Sequence, residues 1–178
     1  MRIVFIFVLI VNTMNLLAQE KEAVHVITKH IHKTFPYATG FEVNLEGDNA
    51  EVFVESWDKA EIQVHIELVS KHPEKAIAEK ELERISYQAE RFKRRIYIRN
   101  YVKSEDALPT QAILKANYYL KVPADCPVYL KNAFGSTNVK DLANQLRIFS
   151  EFTNVQLENI QGNVEMNSKY GDIQGRVW

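Results

Sequence analysis

An 18-residue echo near the C-terminus constrains this chain more than any other feature. Phe134 returns as Phe152 and Tyr170, and the apolar positions between them return too. Thr137, Val139, Leu142, Leu146 and Ile148 reappear as Val155, Leu157, Ile160, Val164 and Met166, and a third copy begins at Ile173, Gly175 and Trp178. Apolar steps of two are strands with one face inward, and steps of three or four are corners. Stacked coils sharing one core produce a period of this size. Inward apolar residues every six positions, as a strict three-sided coil requires, fail at Asn154 and Glu158, so the pattern favours an irregular or two-strand coil. Gly135, Gly162 and Gly171 fall near its corners.

Upstream, Phe41, Val43 and Leu45 alternate with Glu42, Asn44 and Glu46, and Gly47-Asp48-Asn49 marks a turn. Val52 and Val54 carry the pattern to Trp57. Ile62, Val64, Ile66 and Leu68 then alternate with Gln63, His65 and Glu67. Three strands joined by short turns predict an antiparallel meander with one wet face. Residues 21–34 read as a short strand or an ordered arm. The period changes after Pro73, where Ile77, Leu82 and Ile85 are spaced for a helix over about residues 73–85. Strands follow at 85–89, 96–102, 112–122 and 128–134, with a polar loop at 104–110. The expected fold is mainly β: an antiparallel β-sheet unit with one helix over 19–133, continuing into a short β-solenoid of about 18-residue coils over 134–178.

The start of the chain reads as a signal peptide, residues 1–18. Arg2 supplies the positive end, an apolar run from Ile3 to Val11 follows, and Leu16-Leu17-Ala18 forms a small-residue cleavage site. Asn12, Thr13 and Asn15 interrupt the run, which falls short of the ~20 apolar residues of a spanning helix. Export is therefore the expectation, to the periplasm, the outer membrane or beyond, with no membrane span after cleavage. Cleavage removes one of 22 basic residues, against 23 acidic ones. Such a balance argues against a nucleic-acid partner, which selects a strongly basic face. Cys126, the single cysteine, has no His or Lys beside it in sequence and reads as a small buried side chain.

Thr34-Phe35-Pro36, Ser56-Trp57-Asp58-Lys59, Asn117-Tyr118-Tyr119-Leu120-Lys121-Val122-Pro123, Lys131-Asn132-Ala133-Phe134-Gly135 and Lys169-Tyr170-Gly171-Asp172-Ile173 stand in one order along the chain. In these strand-and-turn motifs the sequence resembles the uncharacterised "putative adhesin" β-repeat family of exported Gram-negative bacterial proteins. The resemblance runs from about Thr34 onward and brings no catalytic residues with it. It implies surface adhesion through a protein or glycan partner. Relatives continue through more coils, so the third coil reads as incomplete at Trp178. That leaves Trp178 as a cap, or the chain as the front part of a longer protein; the second reading is favoured, and an open coil end invites self-association.

Candidate chemistry is sparse. His30 and His32, spaced i, i+2, share one face of a strand and form a candidate metal pair, with a third ligand to come from His25 or His65; the alternative is a pair of solvated edge histidines. Arg91, Lys93, Arg94, Arg95 and Arg99 form a patch for an anionic partner, or simply a soluble turn. Tyr97, Tyr101, Tyr118, Tyr119 and Tyr129 fill a core or offer sugars a stacking platform. No nucleophile elbow, phosphate loop or catalytic carboxylate pair appears, and no cofactor is called for. The expected function is a non-enzymatic, adhesin-like scaffold or binding module at the cell envelope. The alternative is a periplasmic envelope-stress sensor.

Overall fold

A computed structural model describes residues 23–103 and 109–177. The proposed signal peptide, most of the 104–110 loop and Trp178 lie outside the described residues. Eleven strands and one helix follow in the order β1 (His25–Pro36), β2 (Glu42–Asp48), β3 (Ala50–Trp57), β4 (Glu61–His72), α1 (Lys75–Leu82), β5 (Ile85–Phe92), β6 (Arg95–Val102), β7 (Ile113–Pro123), β8 (Val128–Lys140), β9 (Leu146–Ile160), β10 (Val164–Lys169) and β11 (Ile173–Val177). The chain is mainly β, as its alternation predicts. No helix among the described residues is long and apolar enough to cross a membrane.

The 18-residue echo is realised as parallel pairing. Val128 lies beside Leu146, and Leu146 beside Val164; Thr137 lies beside Val155, and Val155 beside Ile173. Each partner is displaced by 18 positions, so like side chains stack in columns. Leu142, Leu146, Ile148, Val155, Leu157 and Ile160 are all buried in one core.

The expected meander is not what forms. β2 and β3 do not pair with each other; both run parallel to β8, with Val43 beside Val128 and Val52 beside Thr137. Gly47-Asp48-Asn49 is therefore a corner and not a hairpin. Asn49 takes a left-handed φ of 50°, and the chain continues onto a second face. Phe134, Phe152 and Tyr170 turn the same corner with φ of 57°, 48° and 56°. One face runs β5–β6–β2 and the first halves of β8 and β9 with β10. The other runs β1–β4–β7–β3 and the second halves of β8 and β9 with β11. Among the described residues, antiparallel pairing is confined to β1–β4–β7 and β5–β6. Alternation specifies which residues point inward: Val43, Leu45, Val52, Val54, Ile62, Val64, Ile66 and Leu68 are all buried, while Phe41 at the head of the pattern is half-buried.

Tyr118 crosses between the faces. Its hydroxyl donates to Asn100 Oδ1 at 2.8 Å, and Asn100 Nδ2 donates to the Asp48 carbonyl at 2.8 Å. Burial holds the Tyr118 phenol protonated, well above its ordinary pKa. The helix is shorter than its period suggests and packs against β1 and β4. Ala78, Glu81 and Leu82 are its buried residues, while Ile77 is only half-buried. Glu81 is tolerated there because Arg84 Nη1 donates to both its oxygens at 3.0 Å. Cys126 is fully buried, and burial pushes its thiol up to about 12, which leaves it protonated and inert at neutral pH.

The corner aromatics face outward. Phe134 and Phe152 stack at 5.2 Å, and Phe152 and Tyr170 at 4.8 Å, with near-parallel planes. A left-handed φ costs any residue with a Cβ about 1 kcal/mol, and stacking offsets it at roughly 0.5–1.5 kcal/mol per pair. Phe152→Ala loses both stacks and keeps the strained corner, whereas Phe152→Gly relieves it. Chemical denaturation is thus expected to show Phe152→Ala less stable than Phe152→Gly by about 1 kcal/mol. The reverse order would mean that the corner carries no backbone strain.

Candidate functional site

Among the described residues, two surfaces gather chemistry-bearing side chains, one on each face. The first is a groove of about 650 Å³ outside β5, β6, β2 and β8. Ile98 forms part of its floor, and Tyr97, Tyr129 and Phe92 supply aromatic surface. Asn44, Gln88, Glu46, Glu90 and Arg99 supply hydrogen-bonding groups around them. The alternation that points Ile96 and Ile98 inward sends Tyr97 and Arg99 outward, so the groove follows directly from the β6 pattern.

The basic residues divide here. Arg91 and Arg99 line the groove together with Glu46 and Glu90, so its charge is mixed. Lys93, Arg94 and Arg95 lie exposed around the β5–β6 turn, where Lys93 takes a φ of 56°. Arg91 sits over the Phe41 ring at 5.6 Å, and Arg95 Nε lies 4.0 Å from Glu42. The patch is thus two groups, one within the groove and one at its end.

The second surface is the outer side of β1, β4 and β7. Antiparallel register sets His32 opposite His65 and His30 opposite Glu67. His30 Nδ1 lies 3.3 Å from His65 Nε2, and Glu67 Oε1 lies 3.6 Å from the first and 3.9 Å from the second. The His32 ring stacks on His65 at 4.2 Å, and Tyr119 lies against His65 at 5.5 Å. His25 is at the far end of β1, opposite His72, and takes no part. The i, i+2 spacing correctly places His30 and His32 on one side, but His32 serves as a stacking neighbour. Glu67 and Tyr119 are absent from any sequence reading of the cluster, since only cross-strand register brings them there.

Burial, and then the neighbouring His32, holds the His65 pKa below its ordinary value; Glu67 opposes the shift and His30 adds to it. A lowered folded pKa means that the neutral ring is favoured in the native state. Its contribution is complete above the unfolded value near about 6.5 and is lost as pH falls below it. Urea midpoints are therefore expected to fall from pH 7.5 to pH 5.5, with a smaller fall in His65→Gln. An equal fall in both proteins would remove His65 as its source.

Comparison with known proteins gives weak structural similarities only. No protein-family model matches this chain, and no curated protein matches it. Among solved structures, the chain is similar to a "putative cell adhesion protein" from Clostridium sporogenes, with a TM-score of 0.45 and 8% identity over 85% of this chain and 100% of that one. It is also similar to a "putative adhesin" from Parabacteroides merdae, with a TM-score of 0.20 and 9% identity over 83% of this chain and 96% of the other.

Proposed function

We propose that this chain is an exported, non-enzymatic binding module, adhesin-like in role, that recognises a glycan in the β5–β6–β2–β8 groove. The observation carrying this reading is the groove's mixture of side chains. Sugars present apolar C–H faces and a ring of hydroxyls. Aromatic rings such as Tyr97, Tyr129 and Phe92 cover the first, and planar amide, carboxylate and guanidinium groups such as Asn44, Gln88, Glu90 and Arg99 pair with the second. The groove's volume falls in the range of small-molecule sites, about 300–1,000 Å³. Mixed charge favours a neutral or zwitterionic glycan over a polyanion.

The parallel stack with its 18-residue offset supports reading β8 to β11 as a short β-solenoid that holds the groove rigid from one side. A glycan array probed with the full chain is expected to give a restricted set of binders. Titration of the best one should weaken at least tenfold in Tyr97→Ala/Tyr129→Ala, with melting little changed. An array at background, or unchanged affinity in that variant, would overturn the assignment of the groove.

A further inference from the structure

We infer that His30, His65 and Glu67 form a binding site for a divalent first-row transition metal, with zinc as the best-fitting ion. The geometry carries the inference. Three ligand atoms separated by 3.3, 3.6 and 3.9 Å share a centre about 2.1 Å from each, within the range of Zn–N and Zn–O bonds. That centre lies in the plane of the three atoms; a tetrahedron with arms of that length has edges of about 3.4 Å, so drawing the two wider separations in by a few tenths of an ångström brings the atoms to three of its corners and leaves the fourth open. Two imidazoles and one carboxylate make a donor set suited to zinc, copper or nickel and poorly suited to magnesium or calcium, which demand oxygen.

The supporting groups are aligned for the same task. Asn117 Nδ2 donates to Glu67 Oε2 at 3.0 Å, which leaves Oε1 as the atom facing both histidines. His32 and Tyr119 rest against the His65 ring and fix its plane. All three ligands stand on paired strands, β1 and β4, so little ordering is left to the moment of binding. Glu67 and His65 are largely shielded and His30 is half exposed, giving an ion an entry path from the His30 side. The site lies on the face opposite the groove and stands or falls independently of it.

Isothermal titration of the full chain with zinc chloride at pH 7.5 is expected to saturate at one equivalent. Cobalt substitution should give the intense visible absorption of a four-coordinate ion. His65→Ala and Glu67→Gln should each weaken zinc binding at least tenfold, while His25→Ala leaves it unchanged. Glu67→Gln preserves side-chain shape, so it reports on the ligand even where His65→Ala disturbs the stack. Absence of zinc binding in the wild-type chain, or wild-type affinity in both ligand variants, would overturn the site.

Discussion

Gly135→Ala is expected to cost about 3 kcal/mol and to lower the melting temperature by roughly 6–12 °C for a chain of this size. A Cβ added at Gly135 would lie 1.9 Å from the Ala50 carbonyl oxygen and 2.8 Å from its carbon. Both obstacles are backbone, held in a strand hydrogen-bonded on two sides, so no rotamer change can clear them. Either β3 or β8 must move, and both carry core residues, Val52 and Val54 on one and Thr137 and Val139 on the other. Gly40→Ala is the useful contrast. Gly40 has a φ of 87°, but an added Cβ there meets nothing nearer than an arginine nitrogen at 3.9 Å. Only the left-handed backbone is charged against it, about 1 kcal/mol. Equal melting temperatures for the two variants would show that conformational freedom, and not the close approach of two strands, is what position 135 requires.

The position also shows where a periodic reading runs out. Gly135, Thr153 and Gly171 occupy one column, and the middle member is a threonine whose single hydroxyl proton is shared between the Glu151 carbonyl at 2.9 Å and the Asn132 carbonyl at 3.2 Å. The echo fixes the offset between stacked strands, while the tightness of each interface depends on what lies next to it. The start of the stack is the clearest case. β2 and β3 complete the same stack as β8 and β9, yet they are separated from β8 by four strands and a helix, so no short-range repeat announces them. Gly47-Asp48-Asn49 reads as a hairpin turn because corners and hairpins draw on the same residue types. Only the partner of each strand distinguishes them, and alternation carries no information about partners. The histidine cluster divides along the same line. Spacing puts His30 and His32 on one side of β1, and register alone brings His65 and Glu67 beneath them. The groove is legible residue by residue in the outward half of β6, but its walls come from three other strands.

Asn132→Leu is the second large effect, expected at about 3 kcal/mol, and it explains the polar residue inside the Lys131-Asn132-Ala133-Phe134-Gly135 motif. Asn132 is 1% exposed, and the two protons of its Nδ2 are shared among the Ala50 carbonyl at 3.0 Å, the Ser136 carbonyl at 3.1 Å and Thr137 Oγ1 at 3.2 Å. Space for the amide exists because Gly47 beside it has no side chain; a Cβ there would lie 2.6 Å from Asn132 Oδ1. Leucine fills similar volume but strands buried acceptors, at about 1–3 kcal/mol for each group left unpaired. Asn132→Asp tests the same bonds through charge. The new carboxylate would face two carbonyl oxygens, so its folded pKa is raised and its protonated form favoured. That variant should then come nearest to wild-type stability below about pH 4 and lose ground as pH rises. Asn132 and Gly135 also meet at one atom, the Ala50 oxygen, which accepts from the first and blocks a Cβ on the second. A shift of Ala50 forced by Gly135→Ala breaks the Asn132 bond as well. The double variant Asn132→Leu/Gly135→Ala should therefore lose less than the sum of the two single losses, by at least about 0.5 kcal/mol. Strict additivity in urea denaturation would mean that the corner is held at two independent points and not at that single carbonyl.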